Sequence, residues 1–434
     1  MTEYVGQAMP RYDGLGQVSG SIRYVDDFKF PGMLYIKVLR SPVHKGTVKK
    51  LDLSAVESHP GVVGVVTVDD IPGVNLCGFY GDSPVLNQDH LRYKGEPIAA
   101  VVAVDEDTAM EALEKVKMDI EEQEPVFDMF EALKPDAPLV RQDTENNLFE
   151  FMPGMTTRVI KMGDVEKGLA EADFVMEGTY KQGMQDHCPI EPHASVARID
   201  QAGRLEFRTT SQCLNVHLSM LGPIFDLPQS QINYLGGYNG GGFGGKNDIH
   251  ADHISGLAAL KFRKPVKFRF TRKEDLAYST KRGPWVFEYK TGVMKDGRIV
   301  ACHIKEFHDS GGYIGLSPYA VEKCGMFAAG PYNIPNILVE GQVIFTNKPV
   351  SSSMRGYAVI NGQIPMEIQM ARIAKELDMN PWELRFINAW RDGDMGVSRY
   401  TVRGAGAIEA MTKTAEIAGV KLPEKLMKMS SRRR

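Results

Sequence analysis

An α+β fold in more than one domain is what this sequence predicts, and three observations predict it. The 434 residues exceed what a single hydrophobic core organises. Stretches with strand periodicity and stretches with helix periodicity interleave along the chain, with no repeat of fixed length. Hydrophobic residues make up 43% and charged residues 24%, the balance of a globular protein.

Residues 1–125 read as an α/β domain. Leu34–Arg40 alternates apolar and polar residues, as a half-buried strand does. Ser54 is placed to cap a short helix that closes near His59, Pro60 and Gly61. Val62–Val68 is β-branched and reads as a buried strand. Ile98–Val104 repeats that logic. Asp105 then caps a helix with Ala109, Leu113 and Val116 at helical spacing, and Val116–Ile120 returns as a strand. Residues 126–150 lie in an acidic, proline-bearing stretch of weak periodicity and read as a surface linker.

Residues 151–434 read as a second, mixed α/β domain. Strands are expected around Phe174–Tyr180, His193–Ile199, Leu205–Thr210, Ile232–Leu235, Val266–Arg269, Val286–Val293 and Ile299–Phe307. Asp248 is placed to cap a helix reaching Phe262, and further helices fit Pro365–Leu377 and Ala405–Ala418. Asn380 followed by Pro381 opens another, to Trp390. Trp285, Trp382 and Trp390 are expected in the core.

Composition narrows the function. A net charge of −4 carries no nucleic-acid signal, and the basic tail Arg432–Arg434 is too short to change that. No apolar run is long enough for a transmembrane helix, and residues 1–20 lack the basic-then-apolar order of a secretion signal. The five cysteines, at 77, 188, 213, 302 and 324, form no C-x-x-C pair. That argues against a disulfide framework, a zinc ribbon or an iron–sulfur site of this chain's own, and fits reduced thiols in the cytoplasm. His250 with His253, and His187 with His193 near Asp186 and Glu191, lack the spacing of a known metal motif and read as packed or surface histidines.

The most informative segment is Gly236-Gly237-Tyr238-Asn239-Gly240-Gly241-Gly242-Phe243-Gly244-Gly245-Lys246, in which seven of the ten residues 236–245 are glycine. Between a strand and a helix, such a loop lets backbone N–H groups approach an anionic ligand. One reading is a nucleotide-binding P-loop, since Gly240-x4-Gly245-Lys246 has that frame. The next position needs Ser or Thr for Mg²⁺ and is Asn247. The dinucleotide fingerprint also fits, but in a glycine run that match is nearly automatic.

Five blocks in order carry a resemblance: Glu191-Pro192-His193-Ala194-Ser195-Val196-Ala197, Ser211-Gln212, the loop from Gly240 to Lys246, Gly330-Pro331-Tyr332-Asn333-Ile334-Pro335-Asn336 and Met354-Arg355-Gly356-Tyr357. Together they resemble the molybdopterin-binding subunit of the xanthine dehydrogenase and aldehyde oxidase family, over nearly the whole chain. The resemblance implies a hammerhead-type N-terminal domain and a molybdopterin-binding domain after it. It implies that Gln212 hydrogen-bonds an oxygen ligand of molybdenum, that the backbone N–H groups of Phe243 and Gly244 donate to the metal's oxo groups, and that Gly242 is among the cofactor-binding residues. It places Arg355, with Gly356 beside it, near the dithiolene and phosphate end of the cofactor, where a guanidinium fork suits anionic groups.

The resemblance further implies hydroxylation of a ring carbon of an N-heteroaromatic substrate, such as a purine or nicotinate, with water as oxygen source. Oxidation of an aldehyde is the alternative within the family. Substrate-facing positions depart from xanthine dehydrogenases: Asn247 stands for a Glu, Lys323 for an Arg and Tyr357 for a Phe. Those changes put xanthine itself in doubt and leave other anionic or carbonyl-bearing N-heterocycles. Gly356 stands where carbon monoxide dehydrogenases carry their copper-binding Cys, which argues against that activity. The family's base is a Glu in a glycine-bearing motif of the large subunit's second half. No such motif follows Tyr357, so no catalytic residue is expected in this chain. Glu367, Glu376, Glu383, Glu409, Glu416 and Glu424 read as helix-surface charges. The pattern is that of the first piece of a subunit split over two genes, as nicotinate dehydrogenases have it, or of a truncated length. A second molybdopterin-binding subunit is therefore implied as partner, together with subunits carrying 2Fe–2S clusters and FAD. The cofactor would be molybdenum–molybdopterin, with the cytosine dinucleotide form as one option.

Overall fold

The computed structural model describes residues 4–422 and Leu426. The chain divides into two compact units, both discontinuous in sequence: Met1–Glu124 with Asp186–Thr280, and Pro125–Gln185 with Lys281–Arg434. The expected division into 1–125, 126–150 and 151–434 is not the one compactness makes.

The first unit is organised by a seven-stranded mixed sheet. Its spatial order is Ile232–Gly236, Leu205–Thr209, Ala194–Ile199, Val266–Arg269, Leu34–Arg40, Pro97–Ala103 and Val62–Val66. Leu34–Arg40 lies parallel to Val266–Arg269 and antiparallel to Pro97–Ala103, which joins the N-terminal strands to residues 186–280. Pro97–Ala103 is apolar and buried almost throughout, as a central strand covered on both faces must be. Asp105 caps the helix Glu106–Leu113, its carboxylate accepting from the Thr108 N–H at 2.8 Å. The helix Asp252–Phe262 packs on the sheet, with Ile254, Leu257 and Ala258 joining Phe207, Phe225 and Phe268 in one core. A three-stranded sheet of His90–Leu91, Gly46–Asp52 and Lys117–Glu122 completes the unit.

The second unit holds a five-stranded sheet in the order Arg158–Met162, Asn336–Phe345, Ile299–Gly311, Trp285–Val293 and Phe174–Gln182. Trp285, Phe287, Tyr289 and Ile304 of this sheet pack with Met366, Met370 and Ile373 of the helix Val359–Glu376. Neither Arg158–Met162 nor Asn336–Phe345 stands out in the sequence, and the helices Leu214–Phe225 and Ser317–Phe327 are likewise additional to the expected set.

Several expectations are corrected. The stretch read as a linker packs into the second unit: Val126, Met129, Ala132 and Val140 are buried with Ile344 and Phe345. Its short helix Met129–Ala132 is too brief for periodicity to reveal. Asp248 does not cap the following helix, which starts at Asp252; a tight turn over Gly245–Asn247 intervenes, and the Asp248 carboxylate accepts from the Thr280 hydroxyl. Ser54 is the first helical residue rather than the cap, and Asp52 accepts from its N–H and hydroxyl. Trp382 is 38% exposed and not in the core. The helix expected from Pro365 begins six residues earlier, at Val359. Pro365 is tolerated inside it because the carbonyl it leaves without a helical donor, that of Asn361, accepts from Gln182 Nε2 at 2.7 Å. Glu424 and the tail Arg432–Arg434 lie outside the described residues.

Candidate functional site

In the first unit, the strands Leu205–Thr209 and Ile232–Gly236 run parallel with Thr209 opposite Gly236. Their carboxyl ends therefore open together, where ligands of α/β sheets commonly sit. The chain leaving the first strand carries Ser211 and Gln212. The chain leaving the second becomes the glycine loop, tied back by Asn239 Nδ2 donating to the Ser211 carbonyl at 2.9 Å.

Gln212 is an exposed side chain whose orientation is fixed. Its Oε1 accepts from the N–H groups of Gly244 at 2.9 Å and Lys246 at 3.3 Å, while its own N–H donates to the Lys246 carbonyl at 2.9 Å. Two donors facing Oε1 exclude the flipped amide, so the NH₂ group is turned away from them. Gly242 allows this clamp: a Cβ there would lie 2.5 Å from Gln212 Oε1. The Gly244 N–H is taken up by Gln212 Oε1. Among the described residues the N–H groups of Gly242 and Phe243 have no hydrogen-bond acceptor. Phe243 adopts φ +52° and is 44% exposed. A bulky residue in the left-handed region is strained, and such strain clusters at ligand clamps.

Beneath the loop, Lys246 is fully buried and Nζ donates to Glu191 Oε2 at 2.8 Å. The same oxygen accepts from the Gly240 N–H at 2.8 Å. Burial presses the Lys246 pKa down, and the Glu191 charge partly offsets this. Lys246 is thus committed to the loop's own structure and cannot act as a phosphate lysine. Asn247, at the P-loop's Ser/Thr position, accepts at Oδ1 from the Cys213 thiol and at its carbonyl from His217 Nε2. The geometry does not support the nucleotide reading. The histidines near the loop brace it: His193 bridges Asp275 and the Gly245 carbonyl at 2.7 and 3.1 Å, and a Cβ on Gly245 would meet the His187 ring at 2.9 Å. Among the described residues, no group of three His, Cys, Asp or Glu side chains is arranged to hold a metal.

The second unit carries the remaining candidates. Arg355 and Gly356 form an exposed turn before the helix Val359–Glu376, with Gly356 at φ +74° and Ala358 at φ +58°. Tyr357 donates its hydroxyl to the Leu316 carbonyl, which occupies that group and fixes the ring. Its ring stacks on Tyr319 at 5.7 Å, and Lys323 Nζ lies 5.6 Å from the Tyr319 centroid. Lys323 and Tyr357 thus share a cluster through Tyr319, a residue sequence reasoning missed; Asn247 belongs to the other unit. Glu367, expected as a surface charge, has a 43% exposed side chain that accepts from Tyr332 and pairs with Arg385 at 2.7 Å.

In the first unit an oriented amide NH₂ and two N–H groups suit an oxo-bearing ligand, and in the second an exposed guanidinium suits an anion. Comparison with known proteins agrees. Residues 142–389 match the molybdopterin cofactor-binding domain model, and residues 19–124 match the aldehyde oxidase and xanthine dehydrogenase a/b hammerhead domain model. The nicotinate dehydrogenase large molybdopterin subunit of Eubacterium barkeri is 33% identical over 418 residues, covering 96% of both chains. A probable xanthine dehydrogenase subunit of Bacillus subtilis is 35% identical over 387 residues, which are 89% of this chain and 51% of that one. The aldehyde oxidoreductase structure from Desulfovibrio gigas superposes with a TM-score of 0.89 at 28% identity, covering 94% of this chain and 46% of that one. This chain therefore spans nearly all of one relative and about half of the other two. It belongs to the xanthine dehydrogenase and aldehyde oxidase family of molybdenum-dependent oxidoreductases, as a member with that family's hammerhead and molybdopterin-binding domains.

Proposed function

We propose that this chain is the first molybdopterin-binding part of a molybdenum hydroxylase that oxidises a ring carbon of an N-heteroaromatic substrate. The observation that carries the proposal is the Gln212 clamp, in which two loop N–H groups hold the amide so that its NH₂ faces outward. Bound there, a molybdenum–molybdopterin cofactor would supply a two-electron acceptor for the oxidation. Gln212 orients that end by hydrogen bonding, the free N–H groups of Gly242 and Phe243 add donors, and Arg355 with Gly356 is proposed to meet anionic parts of the cofactor. Gly244 contributes through Gln212 rather than directly.

Lys323 and Tyr357, joined by Tyr319, suit a flat ring bearing a carboxylate or carbonyl, and the Asn247 amide of the first unit is by itself suited to a polar ring substituent. The reading favours an anionic N-heterocycle over an aldehyde because an aldehyde has no use for the cation. The base is assigned to a second molybdopterin chain, and onward electron transfer to subunits holding 2Fe–2S and FAD, in the cytoplasm. The test is gentle purification of the tagged chain from its host, with molybdenum and co-purifying subunits quantified together. Near-stoichiometric molybdenum with a second molybdopterin chain is expected. A molybdenum-free chain without such partners would reject the proposal. In the active complex, Lys323→Met should raise KM for a carboxylated heterocycle far more than for its uncharged analogue; equal changes would reject the substrate class.

A further inference from the structure

The imidazole of His217 lies where three segments of the first unit meet. It belongs to the fourth residue of the helix Leu214–Phe225 and is fully buried. Its Nε2 lies 2.8 Å from the Asn247 carbonyl, just past the glycine loop. Its Nδ1 lies 3.0 Å from the Ser211 hydroxyl, on the chain leaving the strand Leu205–Thr209. The Tyr234 hydroxyl, on the strand that leads into the loop, is also 3.0 Å from Nδ1. These partners assign the ring's protons. A carbonyl oxygen only accepts, so Nε2 donates. The Ser211 hydroxyl accepts from the Cys213 N–H at 3.1 Å and has its own proton to give, which Nδ1 takes. His217 is thereby assigned as the Nε2–H tautomer, with one nitrogen for each side of the junction.

Residues 211–213 reach the end of the loop by separate routes. The Gln212 clamp holds Gly244 and Lys246 and stops short of Asn247. The Cys213 thiol bonds Asn247 Oδ1 at 3.1 Å, but a thiol is a weak donor. His217 runs from Ser211 to the Asn247 backbone. We infer that His217 is a positioning residue, which through Ser211 and Asn247 sets where Asn247 stands relative to Gln212. The inference rests on the proposed function, in which Gln212 orients the oxo-bearing end of the cofactor and Asn247 faces the substrate. The spacing of those two residues then aligns the substrate with the reacting end. His217 governs the rate of each loaded site and not the loading itself, because the clamp on Gln212 does not pass through it.

The test combines spectra of the full chain with kinetics of the purified complex. With histidine ring nitrogens labelled by ¹⁵N, the wild-type chain should show His217 protonated at Nε2 and bare at Nδ1, its signals assigned by their loss in a variant. A proton on Nδ1 overturns the inference whatever the activity. His217→Phe keeps the bulk of the ring and removes both bonds, whereas His217→Gln restores a donor for the Asn247 carbonyl. His217→Phe should retain its molybdenum and lower kcat per bound molybdenum about tenfold or more, the scale of a small misplacement at a reacting centre. His217→Gln should recover most of that loss. If His217→Phe does not fold, His217→Asn takes its place, since it keeps a partner for Ser211 and does not reach Asn247; the same loss is expected. A variant with less molybdenum but wild-type kcat per molybdenum would show a purely structural role and overturn this inference alone. A wild-type complex without molybdenum overturns it together with the reading it rests on.

Discussion

Lys246 and Arg282 are both buried cations beside a candidate binding segment, and they are held in opposite ways. Lys246, under the glycine loop of the first unit, has Glu191 at 2.8 Å and is neutralised within the chain. Arg282, 6% exposed under the Arg355 turn of the second, donates to two neutral acceptors, Asn361 Oδ1 and the Arg355 carbonyl. The loop needs shape: its donors are backbone N–H groups and one clamped amide, so its buried charge is cancelled and serves rigidity. The turn is left with uncancelled positive charge.

The largest expected effect tests the closed side. Lys246→Met leaves the largely enclosed Glu191 with only the Gly240 N–H, and should cost about 3 kcal/mol by denaturant titration, as removing one partner of a mostly buried pair does. A loss near zero would break the comparison, since it would mean the pair is not what holds the loop. Gly242→Ala tests the shape argument. The new Cβ meets Gln212 Oε1 at 2.5 Å, so stability should fall by about 1–3 kcal/mol and molybdenum content in the purified complex should fall with it. Full molybdenum content with the expected loss of stability would separate the clamp from the cofactor.

A third prediction extends the comparison to an acid. Glu306 in the second unit is 1% exposed, and burial pushes its pKa up from 4.5 to about 8, with the Cys324 thiol as hydrogen-bonding neighbour. The folded chain therefore keeps a proton that the unfolded chain releases near 4.5. Its contribution to stability is complete below that pH and declines as pH rises toward 8. The slope should approach roughly 1.4 kcal/mol per pH unit at most. Glu306→Gln should flatten that decline between about pH 5 and 8 and stabilise the chain at the alkaline end; an unchanged profile would show that Glu306 ionises normally. The smallest effect is expected from Tyr357→Phe, which removes the hydroxyl bonded to the Leu316 carbonyl and should cost about 1 kcal/mol, with substrate KM little changed. A large KM change there would give the hydroxyl itself a part in recognition.

Much of the site was legible because its chemistry is local. Seven glycines in ten residues, Gln212 upstream and the Arg355 block downstream are contiguous patterns. Strong strands such as Pro97–Ala103 and the Asp105 cap are local as well. What stayed hidden depends on partners far along the chain. The role of Glu191 requires Lys246, Tyr319 requires Tyr357, and Arg282 requires Asn361 and the Arg355 carbonyl. A lysine in a glycine loop whose Mg²⁺ position is Asn247 did contain a signal, since such a lysine needs an acid if it is buried.

The sequence by itself determined the α+β class, the family, most strands and the segments that bear the site, because side-chain periodicity, capping and glycine content act over a few residues. The tertiary structure alone decided how the chain divides. Leu34–Arg40 pairs with Val266–Arg269, so residues on both sides of 125–185 form one unit. It also decided which charges are cancelled and which are not. Both are properties of long-range pairing, and no local period encodes the partner of a strand or of a buried charge.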